Sequence, residues 1–165
     1  MKPIVTDASP LIIIARTGLI PMLNAMIAEV IVPETVHAEC TRDLTLPGAQ
    51  AVHAAVEAGL IQVRPDVVRG DGDPTDNLAV LDAGELAAIR LALALQCPVL
   101  MDERLGRLAA RRKGLTVIGS AGLLLAAKQR GLIPAVAPIL AEWRQSGYFL
   151  SETVIKAVLE RASEA

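Results

Sequence analysis

The segment Leu81–Gly114, LDAGELAAIRLALALQCPVLMDERLGRLAARRKG, constrains the fold more than any other part of the sequence. Residues 83–96 are apolar on nearly every helical face, and a helix that is apolar all round belongs in the interior of a protein. The run Pro98–Met101 predicts a short buried strand, and the basic segment Arg104–Lys113 predicts a helix directly after it. A buried helix, a buried strand and another helix in this order are typical of an α/β fold with a parallel sheet.

The rest of the chain repeats this alternation. Strands are expected at Pro3–Thr6, Glu29–Val32, Leu60–Val63, Pro98–Met101 and Leu115–Ile118. Helices are expected at residues 9–17, 20–26, 33–41, 49–58, 83–96, 104–113, 120–130, 138–145 and 151–162. Residues 64–77 are polar and rich in Gly, Pro and Asp, which predicts a long loop. We therefore expect one domain over residues 1–165, with a mainly parallel five-stranded sheet covered by helices on both faces.

Composition limits the class of protein. Hydrophobic residues make up 53% of the 165 residues, as a sheet buried on both faces requires. The net charge of −2 gives no global attraction for nucleic acid or for an anionic membrane, so such a partner needs a local patch. Cys40 and Cys97 have no metal-like spacing, which favours reduced, buried thiols. Without a signal peptide or an apolar run long enough for a bilayer, we expect a soluble cytoplasmic protein with no membrane partner.

Two carboxylates follow predicted strands. Asp7 comes directly after the first strand and Asp102 directly after the fourth. Ligand sites of parallel α/β sheets lie at the carboxyl ends of strands, where the strand order reverses. Each residue alone is explained as a cap of the next helix. Two at matching positions favour a site.

Two further acids lie on predicted helices. Glu39 shares a helical face with Val32, Val36 and Cys40, and a charge on an apolar face is costly unless it is paired or bound to a metal. Glu85 lies three residues after Asp82, which matches a capping box. A helix start can also aim a carboxylate into a strand-end cleft, so both roles stay open for Glu85.

The chemistry of such a group follows from its charge. Four carboxylates without a His or Cys partner repel one another and raise one another's pKa. Mg²⁺ or Mn²⁺ relieves that repulsion, because these cations prefer oxygen ligands and bridge carboxylates to phosphate oxygens. Such a site suits hydrolysis of a phosphodiester. Arg104, Arg107 and Arg111 form a basic helical stripe beside Asp102, either a solvated face or a track for a phosphate backbone.

Several stretches together resemble the PIN-domain family, and in particular a prokaryotic subfamily related to the VapC toxins. They are IVTDASPLI, VPETVHAEC, LDAGELAAIRLAL, VLMDERLGRLAARRKG and LTVIGSAGLLLAAKQRGLI. The resemblance implies a three-layer α/β/α Rossmann-like fold and a Mg²⁺- or Mn²⁺-dependent ribonuclease. Carried over by position, it implies Asp7, Glu39, Glu85 and Asp102 as catalytic metal ligands, with Ser9 in support. One departure is that the third position is Glu in a GE pair, where typical VapC toxins carry Asp.

The resemblance also implies partners: an RNA substrate, a small protein antitoxin and a second copy of the chain. The leading hypothesis is a metal-dependent endoribonuclease, with the toxin of a toxin-antitoxin pair as its more specific form. A second hypothesis is a catalytically weak PIN-like module that binds RNA or a protein. A third, a phosphatase using Asp7 as nucleophile, is disfavoured because Ser9 stands where the common phosphatase pattern has a second acid.

Overall fold

The computed structural model of the protein describes residues 2–68 and 80–165, so most of the predicted loop at 64–77 lies outside the described residues. The strands are β1 (Ile4–Thr6), β2 (Val30–Pro33), β3 (Gln62–Arg64), β4 (Val99–Leu100) and β5 (Val117–Ile118). The helices are α1 (Ala8–Arg16), α2 (Ile20–Met26), α3 (Glu34–Thr41), α4 (Pro47–Glu57), α5 (Ala83–Leu95), α6 (Arg104–Arg112), α7 (Ser120–Gln129), α8 (Ala137–Gln145) and α9 (Glu152–Arg161). Each predicted strand and helix is confirmed, with ends within two residues of the expected ones.

The strands form one sheet in the order β3-β2-β1-β4-β5, and every pairing is parallel. Val5 of β1 lies at the centre, paired with Ile31 of β2 and Val99 of β4. Successive residues of a strand point to opposite faces, yet all residues of β1, β2 and β4 are buried. Both faces of the sheet are therefore covered, which confirms the predicted three-layer α/β fold.

The strand order reverses next to β1. The chain runs from β1 through β2 to β3 on one side, and then returns past β1 to form β4 and β5. Crossovers between parallel strands are right-handed. The helices that precede the reversal therefore lie on one face of the sheet, and those that follow it lie on the other. Helix α5 makes the return and packs against β1, β2 and β4. The carboxyl ends of β1 and β4 thus flank the switch point, where α/β sheets bind ligands.

The chain divides into two compact units, residues 1–118 and 119–165. The first contains the whole sheet with α1–α6. In the second, α7 packs against α9, and the Glu164 carboxylate accepts hydrogen bonds from the N–H groups of Val136 (2.8 Å) and Ala137 (2.9 Å) at the start of α8. The Lys128 ammonium pairs with the same carboxylate at 3.0 Å. Glu164 therefore ties the three helices of this unit together.

Neither cysteine forms a disulfide, and both are buried, as predicted. Within residues 2–68 and 80–165, no single helix combines the length and apolar character needed to cross a membrane. Helices α1 and α2 reach that length and composition only as a pair, across a bend of 118°.

Candidate active site

Asp7 lies at the switch point, immediately after β1. Its N–H donates to the carbonyl of Leu100 on β4 (3.0 Å), and its side chain is only 5% exposed. Asp7 occupies the N-cap position of α1, but its carboxylate makes no capping hydrogen bond there, so the simple capping role does not explain it. Burial is the largest cause that raises the pKa of Asp7 to about 7; the N–H of Ala8 opposes it, and the negative charges of Glu85, Asp82 and Glu39 add to it.

Glu39 acts on Asp7 from α3, since its negative charge raises the pKa of Asp7. The prediction that it shares a helical face with Val32 is wrong, because Val32 belongs to β2; Glu39 is half-buried beside the buried Cys40. Its carboxylate accepts a hydrogen bond from the backbone N–H of Gly84, in the first turn of α5. Burial and the charge of Asp82 raise the pKa of Glu39, while Arg42 and the Gly84 N–H lower it.

Gly84 lets the carboxylate of Glu39 approach the start of α5 closely. A Cβ atom on residue 84 would lie 2.9 Å from both Cδ and Oε2 of Glu39, closer than side chains tolerate. This requirement is visible only in the folded chain, since residues 39 and 84 are far apart in sequence. In the GE pair that departs from the VapC pattern, Gly84 therefore leaves room for Glu39, and Glu85 is itself an acid of the site.

Glu85 and Asp82 form the predicted capping box at the start of α5. The Asp82 carboxylate accepts from the Glu85 N–H at 2.8 Å, and Glu85 Oε2 accepts from the Asp82 N–H at 3.2 Å. Glu85 is nonetheless buried, with only 7% of its surface exposed. Burial and the charge of Asp82 raise the pKa of Glu85, and the charges of Glu103 and Glu39 add to the increase. The charge of Asp82 raises the pKa of Asp7, Glu39 and Glu85 alike, so this cap residue belongs electrostatically to the site.

Asp102 follows β4 and is half-buried. It does not cap α6, because Glu103 is the N-cap and accepts from the N–H of Gly106 at 2.9 Å. The charge of Asp102 acts on Arg107: burial and the charge of Arg111 lower the Arg107 pKa, and Asp102 opposes that change. Asp102 thus stands at the expected strand end, beside a cation.

The predicted basic stripe divides in the structure. Arg104 and Arg111 are exposed at the two ends of α6, whereas Arg107 is half-buried and donates from Nη1 to the carbonyl of Met101 at 2.8 Å. Arg107 therefore secures the end of β4 next to Asp102. Ser9 is exposed in the first turn of α1, two residues from Asp7.

The structure brings together Asp7, Glu39 and Glu85 from the predicted set, and adds Asp82. We call these four residues the acid cluster. Asp7 lies at the start of α1, Asp82 and Glu85 lie at the start of α5, and the Glu39 carboxylate accepts a hydrogen bond from the start of α5. The N-terminus of a helix carries a partial positive charge, which offsets part of the repulsion between these carboxylates.

A further acid that sequence reasoning missed holds the helix that carries Glu39. Asp66, just after β3, accepts a hydrogen bond from the N–H of Thr35 (3.1 Å) and another from the Thr35 hydroxyl, in the first turn of α3. The N-cap residue Pro33 makes no side-chain cap, so Asp66 replaces it from a distant part of the chain. Only the order of elements, with β3 beside β2, could have suggested this contact.

The oxygen donors of the acid cluster suit a hard divalent cation chemically. In the part of the chain that the structure describes, no three Asp, Glu, His or Cys side chains are already arranged to hold a metal. Mg²⁺ does not require such a cage, because it keeps several waters and binds through one or two carboxylates plus substrate phosphates. The arrangement therefore fits a cation shared between protein and substrate.

Comparisons with known proteins identify the family. No curated protein matches the chain. A solved structure, a domain of a functionally unknown protein from Methanocaldococcus jannaschii DSM 2661, is similar at 16% identity and a TM-score of 0.44, covering 72% of this chain and 91% of that one. The PIN-domain family DUF3368 matches residues 3–164. The PIN domain is generally a nuclease fold, and the match covers nearly the whole sequence, so this chain belongs to the PIN-domain family DUF3368.

Proposed function

We propose that this protein is a divalent-metal-dependent endoribonuclease that hydrolyses RNA phosphodiester bonds at the acid cluster. One observation carries the proposal: Asp7 is buried at the switch point among three other acids, with a pKa raised to about 7 and no capping hydrogen bond. Burying a carboxylate among other acids lowers the stability of the folded state. Residues with such strongly shifted pKa values are concentrated at functional sites.

One or two of the carboxylates of Asp7, Glu39 and Glu85 would hold the cation together with substrate phosphates, with Asp102 at the neighbouring strand end. Glu39 and Glu85 each use part of their carboxylate to accept a backbone N–H, and a carboxylate has further lone pairs for a ligand. When bound, Mg²⁺ or Mn²⁺ supplies positive charge that activates water and stabilises the phosphodiester oxygens. The match of donor type and excess negative charge supports either cation.

The chain's own residues position the substrate in this proposal. Arg107 fixes the carbonyl of Met101 and so the direction of the chain into Asp102. Arg104 and Arg111 remain exposed on α6 and bind phosphates of the RNA backbone. The exposed hydroxyl of Ser9 helps to orient water near Asp7. Two partners follow from the resemblance alone and belong to the same proposal: a small protein antitoxin and a second copy of the chain.

The test combines calorimetric titration of Mn²⁺ with cleavage of a mixed RNA pool. We expect the wild type to bind Mn²⁺ and to cleave RNA only with metal, and Asp7→Asn and Asp102→Asn to lose both. Glu57→Gln removes an exposed carboxylate from the end of α4 and serves as the control, with wild-type behaviour expected. A wild type that binds no metal even with RNA present would refute the mechanism and favour a binding module.

A further inference from the structure

A cleft of about 320 Å³ adjoins the acid cluster on the side of α1, α3 and the start of α4. Ile12 and Arg16 of α1 line it, together with Glu39 of α3 and residues 40, 42, 43 and 46–49. Glu39 therefore belongs both to this cleft and to the acid cluster. Its volume lies at the lower end of the range of small-molecule sites, about 300–1,000 Å³.

Two arginines of the cleft have no partner among the residues that the structure describes. Among the described residues, the side chains of Arg16 and Arg42 make neither a hydrogen bond nor an ion pair within 4.0 Å. Arg42 acts only through space, by lowering the pKa of Glu39. The nearby Asp43 does not neutralise them by contact, because its carboxylate accepts from the N–H and hydroxyl of Thr45 (3.0 and 2.6 Å). Both guanidinium groups are thus available to an anion.

Apart from Arg16, Arg42, Glu39 and Asp43, the residues that line the cleft are apolar or glycine. Leu46 is 55% exposed, and Pro47 beside it is also exposed. Ile12 also lines the cleft, where α1 and α4 approach so closely that a Cβ on Gly48 would lie 2.8 Å from Ile12 Cγ2. Apolar surface next to two guanidinium groups complements a nucleotide, whose base has a flat face that packs on apolar side chains and whose phosphates are anionic.

We propose that this cleft binds a nucleotide of the RNA strand next to the phosphate being cleaved, with Arg16 and Arg42 on its phosphates and Ile12, Leu46 and Pro47 against its base or ribose. The inference rests on the proposed function, because Glu39 links the cleft to the acids that would cut the strand. It goes further by assigning a substrate subsite to a surface far from the α6 arginines in sequence.

The first experiment measures RNA binding separately from cleavage. In an Asp7→Asn background with EDTA, a fluorescent single-stranded RNA of about 12 nucleotides is titrated at salt concentrations from about 50 to 200 mM. We expect the Arg16→Ala, Arg42→Ala double variant to bind about tenfold more weakly and to lose about 1.4 from the salt slope, or about 0.7 for each phosphate contact. Arg161→Ala, which removes an exposed arginine from the last turn of α9, is the matched control for Arg16 and should change neither value.

The second experiment adds a negative charge at two neighbouring leucines of one loop. Leu46 and Leu44 are 55% and 48% exposed, but only Leu46 lines the cleft among the described residues. Both Leu→Asp variants change the net charge equally, so general electrostatic attraction falls equally. We expect Leu46→Asp to weaken RNA binding several-fold more than Leu44→Asp.

Cleavage by the wild type in Mn²⁺ separates this inference from the proposed function. Cleavage together with equal RNA binding in the double variant and in Arg161→Ala would overturn the cleft and leave the nuclease in place. RNA binding that depends on Arg16 and Arg42 without any cleavage would support the cleft and overturn the nuclease. A wild type that neither binds nor cleaves RNA would overturn both.

Discussion

Replacing Asp7 with Asn removes a carboxyl group that the fold holds in an unfavourable environment. The pKa of Asp7 rises from its ordinary value of 3.8 to about 7, first because of burial and then because of Glu85, Asp82 and Glu39. Each pKa unit corresponds to about 1.36 kcal/mol, so ionising Asp7 costs the folded state about 4 kcal/mol more than the unfolded chain. Typical domains are stable by only about 5–15 kcal/mol, which makes this cost large.

The direction of the pH dependence of stability follows from proton binding to Asp7. Between about pH 4 and pH 7 the folded state keeps the Asp7 proton while the unfolded chain has lost it, so the free energy of unfolding falls as pH rises. The Asp7→Asn variant has no ionisable group at this position, so its free energy of unfolding does not fall in this way. We therefore expect the variant to gain about 4 kcal/mol relative to the wild type as pH rises from about 4 to about 8.

Urea unfolding in EDTA at several pH values measures this difference directly. Asp43→Asn is the control: hydrogen bonds from Thr45 lower the pKa of Asp43, so its removal should not produce a difference that changes between about pH 5 and pH 8. A difference between Asp7→Asn and wild type that stays constant from acid to neutral pH would refute the reasoning. Saturating Mn²⁺ at pH 8 should stabilise the wild type and leave Asp7→Asn unchanged.

Further predictions test the residues around the site and the second unit. Gly84→Ala should reduce metal-dependent cleavage at least about tenfold by displacing Glu39, whereas Gly122→Ala in α7, where a Cβ meets nothing within 4 Å, should keep full activity; equal activities would contradict the close approach. Asp66→Ala should cost about 1 kcal/mol in urea unfolding because α3 loses its cap, and an unchanged midpoint would exclude that role. The pKa of Glu164 is lowered to about 2 by backbone N–H groups, so wild-type stability should fall as pH drops from about 4.5 to 2, while Glu164→Gln should melt lower above pH 5 and lose less on acidification. Parallel melting curves of the two proteins over that range would contradict the assignment.

Local sequence patterns predicted the fold well because each element carries its own signal. Short β-branched and apolar runs marked the strands, and the spacing from Asp82 to Glu85 predicted the capping box that the structure contains. The positions of Asp7 and Asp102 after β1 and β4 were also predictable, since parallel strands end at the same edge of the sheet.

Contacts between distant residues were not predictable in the same way. The hydrogen bond from Gly84 to Glu39 exists because α3 and α5 pack together, and no local pattern encodes that packing. The spacing of three and four residues between the α6 arginines suggested one basic stripe, but the Arg107 guanidinium instead donates a hydrogen bond to the carbonyl of Met101 at the end of β4. The order and packing of the strands and helices, rather than helical periodicity, therefore determined the hydrogen bonds of Glu39 and Arg107.

The reaction rate of the buried Cys40 thiol would report motion at the site. Its thiol is 3% exposed, with Sγ 4.0 Å from the carbonyl of Ala8, and burial together with Glu39 and Asp7 raises its pKa to about 12. Alkylating reagents attack the thiolate, so Cys40 should react only when α3 separates from α1. Cys97, which is also buried and precedes β4 in the chain, should react at a rate of its own. Pulse alkylation read by mass spectrometry would therefore report how often the acid cluster opens, without an engineered label.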